Sequence, residues 1–120
     1  MIPFGEPVLV SLKSGRDLVG VLDASPGEFL LLATERGPVI LHRGIVAAIK
    51  SAPDAPVDGL VTGDLFDLVG HRVAVNVAGF GTTFGTLLDV WPGREGIDLR
   101  LPSGEVAHVP MLSAAVEALP

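Results

Sequence analysis

The stretch Val8-Leu9-Val10-Ser11-Leu12-Lys13-Ser14-Gly15-Arg16-Asp17-Leu18-Val19-Gly20-Val21-Leu22 decides the fold. Val8, Val10 and Leu12 alternate with other residues, the period of a strand that buries one face. Lys13 to Arg16 reads as a tight turn, with Gly15 free to take a positive φ. Asp17 to Ser25 is then a second strand, and Gly20 inside it marks a sharp bend.

The same pattern returns later in the chain. Val73-Ala74-Val75-Asn76-Val77 follows Val8 by 65 positions, and Gly85 follows Gly20 by the same 65. Further on the offset drifts to 67, matching Val39 with Val106 and Ile45 with Leu112. Two diverged copies of one small β-unit account for this.

Working outward, Pro26-Gly27 breaks the chain before a third strand, Phe29 to Thr34. That strand is apolar almost throughout, so both its faces are expected to be covered. Glu35 to Gly37 turns into a fourth strand, Pro38 to His42. Arg43-Gly44 interrupts it, and Ile45 to Lys50 makes a fifth. Five short strands in so short a span, two of them bent, point to a small closed barrel.

Residues 51–63 are rich in Pro, Ala, Asp and Gly, the composition of a linker. Asp64 is placed to cap a single helical turn, Leu65 to Val69, which Gly70 closes. The second copy then reads as strands Arg72–Val77, Thr82–Trp91, Ile97–Leu101, Glu105–Val109 and Ala114–Ala118. A loop at Pro92–Gly96 and a 3₁₀ turn at Pro110–Leu112 lie between them. The expected organisation is repeat 1 at 1–50, an acidic linker at 51–63, and repeat 2 at 64–120.

Composition bounds the function. The 120 residues hold 14 acidic and 8 basic side chains, a net charge of −6, and no cysteine. Disulfides and thiolate metal sites are therefore excluded. Residues 51–67 carry Asp54, Asp58, Asp64 and Asp67 without a cation, whereas residues 1–50 balance to zero. The strong basic field of non-specific nucleic-acid binding is missing, and only repeat 1 has the cations for a local basic patch. The aspartates of the linker have the option of lying against those cations. Met1 to Gly5 lacks a signal-peptide pattern, and no apolar run nears the about 18 residues of a membrane span. A cytoplasmic protein that does not engage a membrane is the expectation. Abundant Arg, Ala, Gly and Pro with scarce lysine suggest a bacterium with a GC-rich genome.

No nucleophile has an adjacent base, and no Gly-rich phosphate loop leads into a helix. No catalytic residue and no cofactor are expected. His42, His71 and His108 match no metal-ligand spacing, so no metal site is expected. Asp23 and Asp89, 66 apart, read as structural analogues in separate repeats rather than as an acid–base pair. Phe84 and Trp91 have the rings to stack on a base, but aromatic residues on such strands more often belong to a core or an interface.

Two segments resemble the Sm-like family of small β-barrels. VLVSLKSGRDLVGVLDAS carries Gly15 and Gly20 at the family's spacing, and VILHRGIVAAI carries its Arg43-Gly44. DLFDLVGHRVAVNV resembles the helix-then-strand start of such a domain. The resemblance implies an all-β chain of two tandem five-stranded barrels of SH3-like, Sm-like topology, with one short helix before the second. It also implies assembly through open strand edges, with three two-repeat chains closing a pseudo-six-fold ring as the first expectation. It places His42, Arg43 and Gly44 where the family faces RNA. Lys13 and Arg16, which flank the hairpin turn, have the charge to contact phosphate, but turn cations are ordinarily solvated. The departures are specific. The loop between the second and third strands, Ser25-Pro26-Gly27-Glu28, lacks the family's base-holding Asn, and Gly44 is followed directly by Ile45. In repeat 2 the Arg-Gly gives way to Val109-Pro110-Met111. Two readings stay open: a single-stranded RNA-binding, RNA-chaperone-like module, or a protein-interaction scaffold without nucleic-acid binding.

Overall fold

A computed structural model describes residues 3–56 and 58–119. These residues are all-β and form ten strands. The first five are β1 (Pro7–Leu12), β2 (Asp17–Ala24), β3 (Phe29–Thr34), β4 (Gly37–His42) and β5 (Val46–Ser51). The second five are β6 (Arg72–Val77), β7 (Gly81–Val90), β8 (Gly96–Arg100), β9 (Val106–Pro110) and β10 (Ala114–Ala118). All lie in one antiparallel sheet of order β5-β1-β2-β3-β4-β10-β6-β7-β8-β9. The sheet is open, and β5 and β9 are its edges. The first five strands run β5-β1-β2-β3-β4, and the second five repeat that order as β10-β6-β7-β8-β9.

The duplication is physical as well as sequential. Gly20 pairs with Val8, and Gly85 pairs with Val73. A Cβ on Gly20 would sit 2.1 Å from the Ala33 carbonyl oxygen, and one on Gly85 would sit 2.5 Å from that of Arg100. Both glycines are therefore demanded by the close approach of the neighbouring strand. A bulge follows Leu22 in β2 and Leu87 in β7. The N–H of Gly5 donates to the Leu22 carbonyl at 3.1 Å, and that of Gly70 to the Leu87 carbonyl at 2.7 Å.

Alternation decides which side chains enter the cores. Val8, Val10 and Leu12 of β1 are buried while their neighbours are partly exposed. β3 is buried on both faces, as its apolar run implies. One face, Leu30 and Leu32, packs with the β1 and β2 side chains into the first repeat's core. The other, Phe29 and Leu31, joins Ile40 in the second repeat's core with Leu65, Leu68 and Val116. The two repeats therefore share β3 and β4, with a core on either side. β4 pairs directly with β10 through Leu41↔Ala115, Ile40↔Val116 and Val39↔Glu117.

Several local expectations are corrected. The helical turn before β6 is a 3₁₀ turn, Leu65–Leu68, closed at its N-terminus by a reciprocal capping box of Asp64 and Asp67. Arg43–Ile45 is likewise a 3₁₀ turn rather than a plain break, and Pro92–Arg94 forms another. The expected 3₁₀ turn at Pro110–Leu112 is absent. β9 continues through Pro110, and the chain reverses with Ser113 at φ 59°.

Register also revises two of the pairings read from spacing. Leu32 and Leu99 face Leu22 and Leu87, and they pair on their other side with Val39 and Ala107. Val39 therefore corresponds to Ala107, not Val106, because the turn before β9 is one residue longer. Ile45 is fully buried, whereas Leu112 is 71% exposed; the register matches Ile45 with Ser113, since the Lys13 N–H donates to the Ile45 carbonyl and the Ala78 N–H to that of Ser113. In the linker, Ser51 still belongs to β5, and Val61 bridges to Thr34. Val57 and the chain ends at 1–2 and 120 lie outside the described residues. Among the described residues no helix is long and apolar enough to cross a membrane.

Candidate nucleic-acid interface

The β4–β10 joint brings four loops together. Two connect β2 to β3 and β4 to β5, and the other two are their counterparts in the second repeat. Between them lies a cleft of about 460 Å³, lined by Glu28, Phe29 and His42 from the first repeat and by Arg94, Glu95 and Leu112 from the second.

His42 ends β4 and caps the 3₁₀ turn Arg43–Ile45: its Nδ1 accepts the Gly44 N–H at 2.9 Å. The proton of the neutral ring therefore sits on Nε2. The ring packs edge-on against Phe29, with centroids 5.3 Å apart at 84°. Gly44 is needed for space. A Cβ there would lie 2.7 Å from Ser113 Oγ and 2.9 Å from His42 Nδ1. Its place is set by packing at the joint.

Arg43 is exposed and turns toward Ser25, donating from Nη2 to Ser25 Oγ at 2.7 Å. Ser25 Oγ in turn donates to the Phe29 carbonyl at 3.0 Å. Arg43 thus ties the two first-repeat loops together beside the cleft, and it faces no carboxylate within 4.0 Å among the described residues.

Lys13 and Arg16 do not join this group. The Lys13 side chain is exposed, and its backbone N–H donates to the Ile45 carbonyl at 2.7 Å. Arg16 lines a different cavity, where Nη2 meets Glu117 Oε1 at 2.9 Å and Nε meets Oε2 at 3.3 Å. Glu117 also accepts from Asn76 Nδ2 at 2.7 Å, and Asn76 from Thr82 at 2.7 Å. The guanidinium of Arg16 is therefore neutralised by a buried carboxylate of β10, a structural tie between the repeats.

Arg94 is the cleft residue that sequence reasoning passed over. It forms a two-pronged pair with Asp64, one prong from Nε to Oδ1 at 3.0 Å, and lies 5.3 Å over the Phe66 ring. The hydrogen bond from Arg94 holds the Asp64 carboxyl below its usual range, with help from the Leu65 N–H and against partial burial. The one signal in the sequence was positional: Arg94 follows Gly27 by 67, the offset that relates β3 to β8. Of the four aspartates at 51–67, Asp64 thus pairs with a cation of repeat 2 rather than with those of repeat 1. With Arg94 neutralised and Glu28 and Glu95 on the walls, the cleft is not a cationic site.

The remaining residues lie elsewhere. Asp89 corresponds to Ala24 rather than Asp23, since these two face Asp98 and Leu31 after matching bulges. His108 corresponds to Ile40, and His42 to Pro110, so the two histidines are not equivalent. Among the described residues no cluster of His, Asp or Glu has the geometry to hold a metal. Phe84 is half exposed on β7, and Trp91 lies flat on Gly96, donating Nε1 to Asp98 at 2.9 Å. Neither ring lines the cleft. Compared with family models, curated proteins and solved structures, the chain matches none.

Proposed function

We propose that the chain is a non-enzymatic, Sm-like double repeat of two small barrels, and that it acts as a scaffold by pairing its free sheet edges with those of further copies. The observation that carries this reading is the β4–β10 joint. Inside one chain, the fourth strand of one repeat pairs with the fifth strand of the other. The free edges β9 and β5 are again a fourth and a fifth strand, so they offer the same joint between chains.

The hydrogen-bonding groups match. The pairs Leu101–Glu105 and Met111–Glu95 commit residues 105, 107, 109 and 111 to β8, which leaves the backbone of Val106, His108 and Pro110 facing out. On β5 the Ala52–Pro7 bond leaves Ile49 and Ser51 facing out. Ile40 corresponds to His108, and Val116 to Ile49, so the Ile40↔Val116 pairing maps to His108 against Ile49 of a second copy. Three chains would close six repeats into a ring. Light scattering should give three times the chain mass of 12.4 kDa. A particle of one chain mass at micromolar concentration overturns the reading.

A second reading, single-stranded RNA binding, is favoured by the cleft at the joint. The half-buried ring of His42 lines it, and Arg43 is exposed beside it. It predicts RNA affinity that falls steeply with salt and is mostly lost in Arg43→Ala. Fluorescence anisotropy with a short mixed-sequence RNA decides it, and no binding at low salt rejects it.

A further inference from the structure

The joint between copies differs chemically from the joint within a chain. At the internal joint the cross-strand pair on the outer face is Leu31–Ile40. Ile40 is 0% exposed and lies in one core with Leu65, Leu68 and Val116. The same register position on the free edge holds Asp98–His108. The His108 Nδ1 and Asp98 Oδ1 lie 2.6 Å apart, and the side chains are 66% and 26% exposed. Trp91 adds a second hydrogen bond to the same carboxylate oxygen.

We propose that the Asp98–His108 pair weakens the β9 edge as a dock for β5 of a second copy, so that chain-to-chain assembly is reversible while the internal joint is permanent. This rests on the edge-assembly reading. In that register, docking sets Ile49 against His108, where the internal joint sets Val116 against Ile40. Ile49 is a partly buried side chain packed on its own repeat's core. The apolar side chain of Ile49 would then cover a carboxylate and an imidazole that now meet water. Removing such a pair from water costs more than its internal attraction returns, whereas apolar residues in its place gain from burial. Backbone pairing still favours the joint, since His108 and Ile49 each present an outward N–H and C=O. The surface therefore accepts its own copy, but weakly. Polar groups at an edge are a recognised brake on runaway strand pairing.

Sedimentation velocity across micromolar concentrations tests this on the wild type, Asp98→Asn, and Asp98→Leu combined with His108→Ile. The asparagine keeps an acceptor for Trp91 and His108 while removing the charge. It is expected to tighten association several-fold. The double variant restores the apolar pair of the internal joint and is expected to tighten association about tenfold or more. Circular dichroism checks that each variant keeps its β signal, and Asp98→Asn decides the matter if the double variant does not fold. A wild type that assembles, with a folded Asp98→Asn that associates equally or less tightly, overturns this inference and leaves the edge-assembly reading standing. A wild type that stays a single chain at every concentration overturns both.

Discussion

Arg94 adopts the backbone conformation of Gly27, with φ 59° against 58°, at the corresponding point of the other repeat's loop. A left-handed conformation is free for glycine and costs an L-residue about 1–2 kcal/mol. The side chain offsets that cost through its two-pronged pair with Asp64 and its place over Phe66. The loop is thereby fastened to the turn that precedes β6.

Two substitutions at this position separate strain from pairing. Arg94→Gly relieves the strain as it loses the pair, so its stability should stay within about 1 kcal/mol of the wild type. Arg94→Ala keeps the strain and loses the pair, and should fall about 1–2 kcal/mol below Arg94→Gly. Urea unfolding midpoints give the order directly; alanine equal to glycine would contradict it.

Gly20→Ala and Gly85→Ala should each destabilise by about 1–3 kcal/mol, because the new methyl meets a backbone oxygen that cannot move aside. The two costs should be similar, since the neighbouring strand approaches both sites in the same way. Denaturant unfolding of the two single variants tests this.

Ile40 and His108 hold one register position in different surroundings. Ile40→Ala removes a fully buried side chain from the shared core and should cost about 2–5 kcal/mol. His108→Ala, on the exposed edge, should cost no more than about 1 kcal/mol. Because β3 and β4 belong to both cores, Ile40→Ala should shift a single unfolding transition rather than split it. Calorimetry reads both the shift and the number of transitions.

Acid should weaken the fold through two aspartates. Arg94 lowers the Asp64 pKa, and Trp91 and His108 lower that of Asp98. A lowered carboxyl contributes fully above its unfolded value of about 3.9, and the contribution is lost as pH falls through the lower folded value. Asp64→Asn retains the helix cap while removing one of these groups. Its stability should fall less steeply below about pH 4 than that of the wild type, as followed by thermal melts.

His108→Pro removes an outward N–H from the β9 edge, where Pro110 already faces out. It should abolish assembly while leaving the secondary structure intact, as light scattering and circular dichroism would show. Assembly that persists would mean that β9 is not the edge in use.

Much of the fold was legible because its signals are local. β6 and β10 lie where alternation and turn residues place them, at Arg72–Val77 and Ala114–Ala118. Gly20 and Gly85 marked the repeat, and the doubly buried β3 was visible as an unbroken apolar run. The candidate site was legible only in part. His42 lines the cleft, but Arg16 lies in a separate cavity bound to Glu117, and Arg94 enters the cleft from the other repeat. Those placements depend on Glu117 lying 101 residues from Arg16 and Asp64 lying 30 from Arg94. No periodicity spans such distances.

By itself the sequence determined the all-β class, the two copies, most strands and turns, and the glycines where neighbouring backbone comes close. Each of these follows from side-chain alternation or from steric limits acting over a few residues. Only the tertiary structure decided that β4 meets β10 in one continuous sheet, that Leu31–Ile40 is buried there while Asp98–His108 is left on a free edge, and which cations are neutralised. A strand's partner is chosen by long-range contacts between faces, and neither partner carries that choice in its own local pattern.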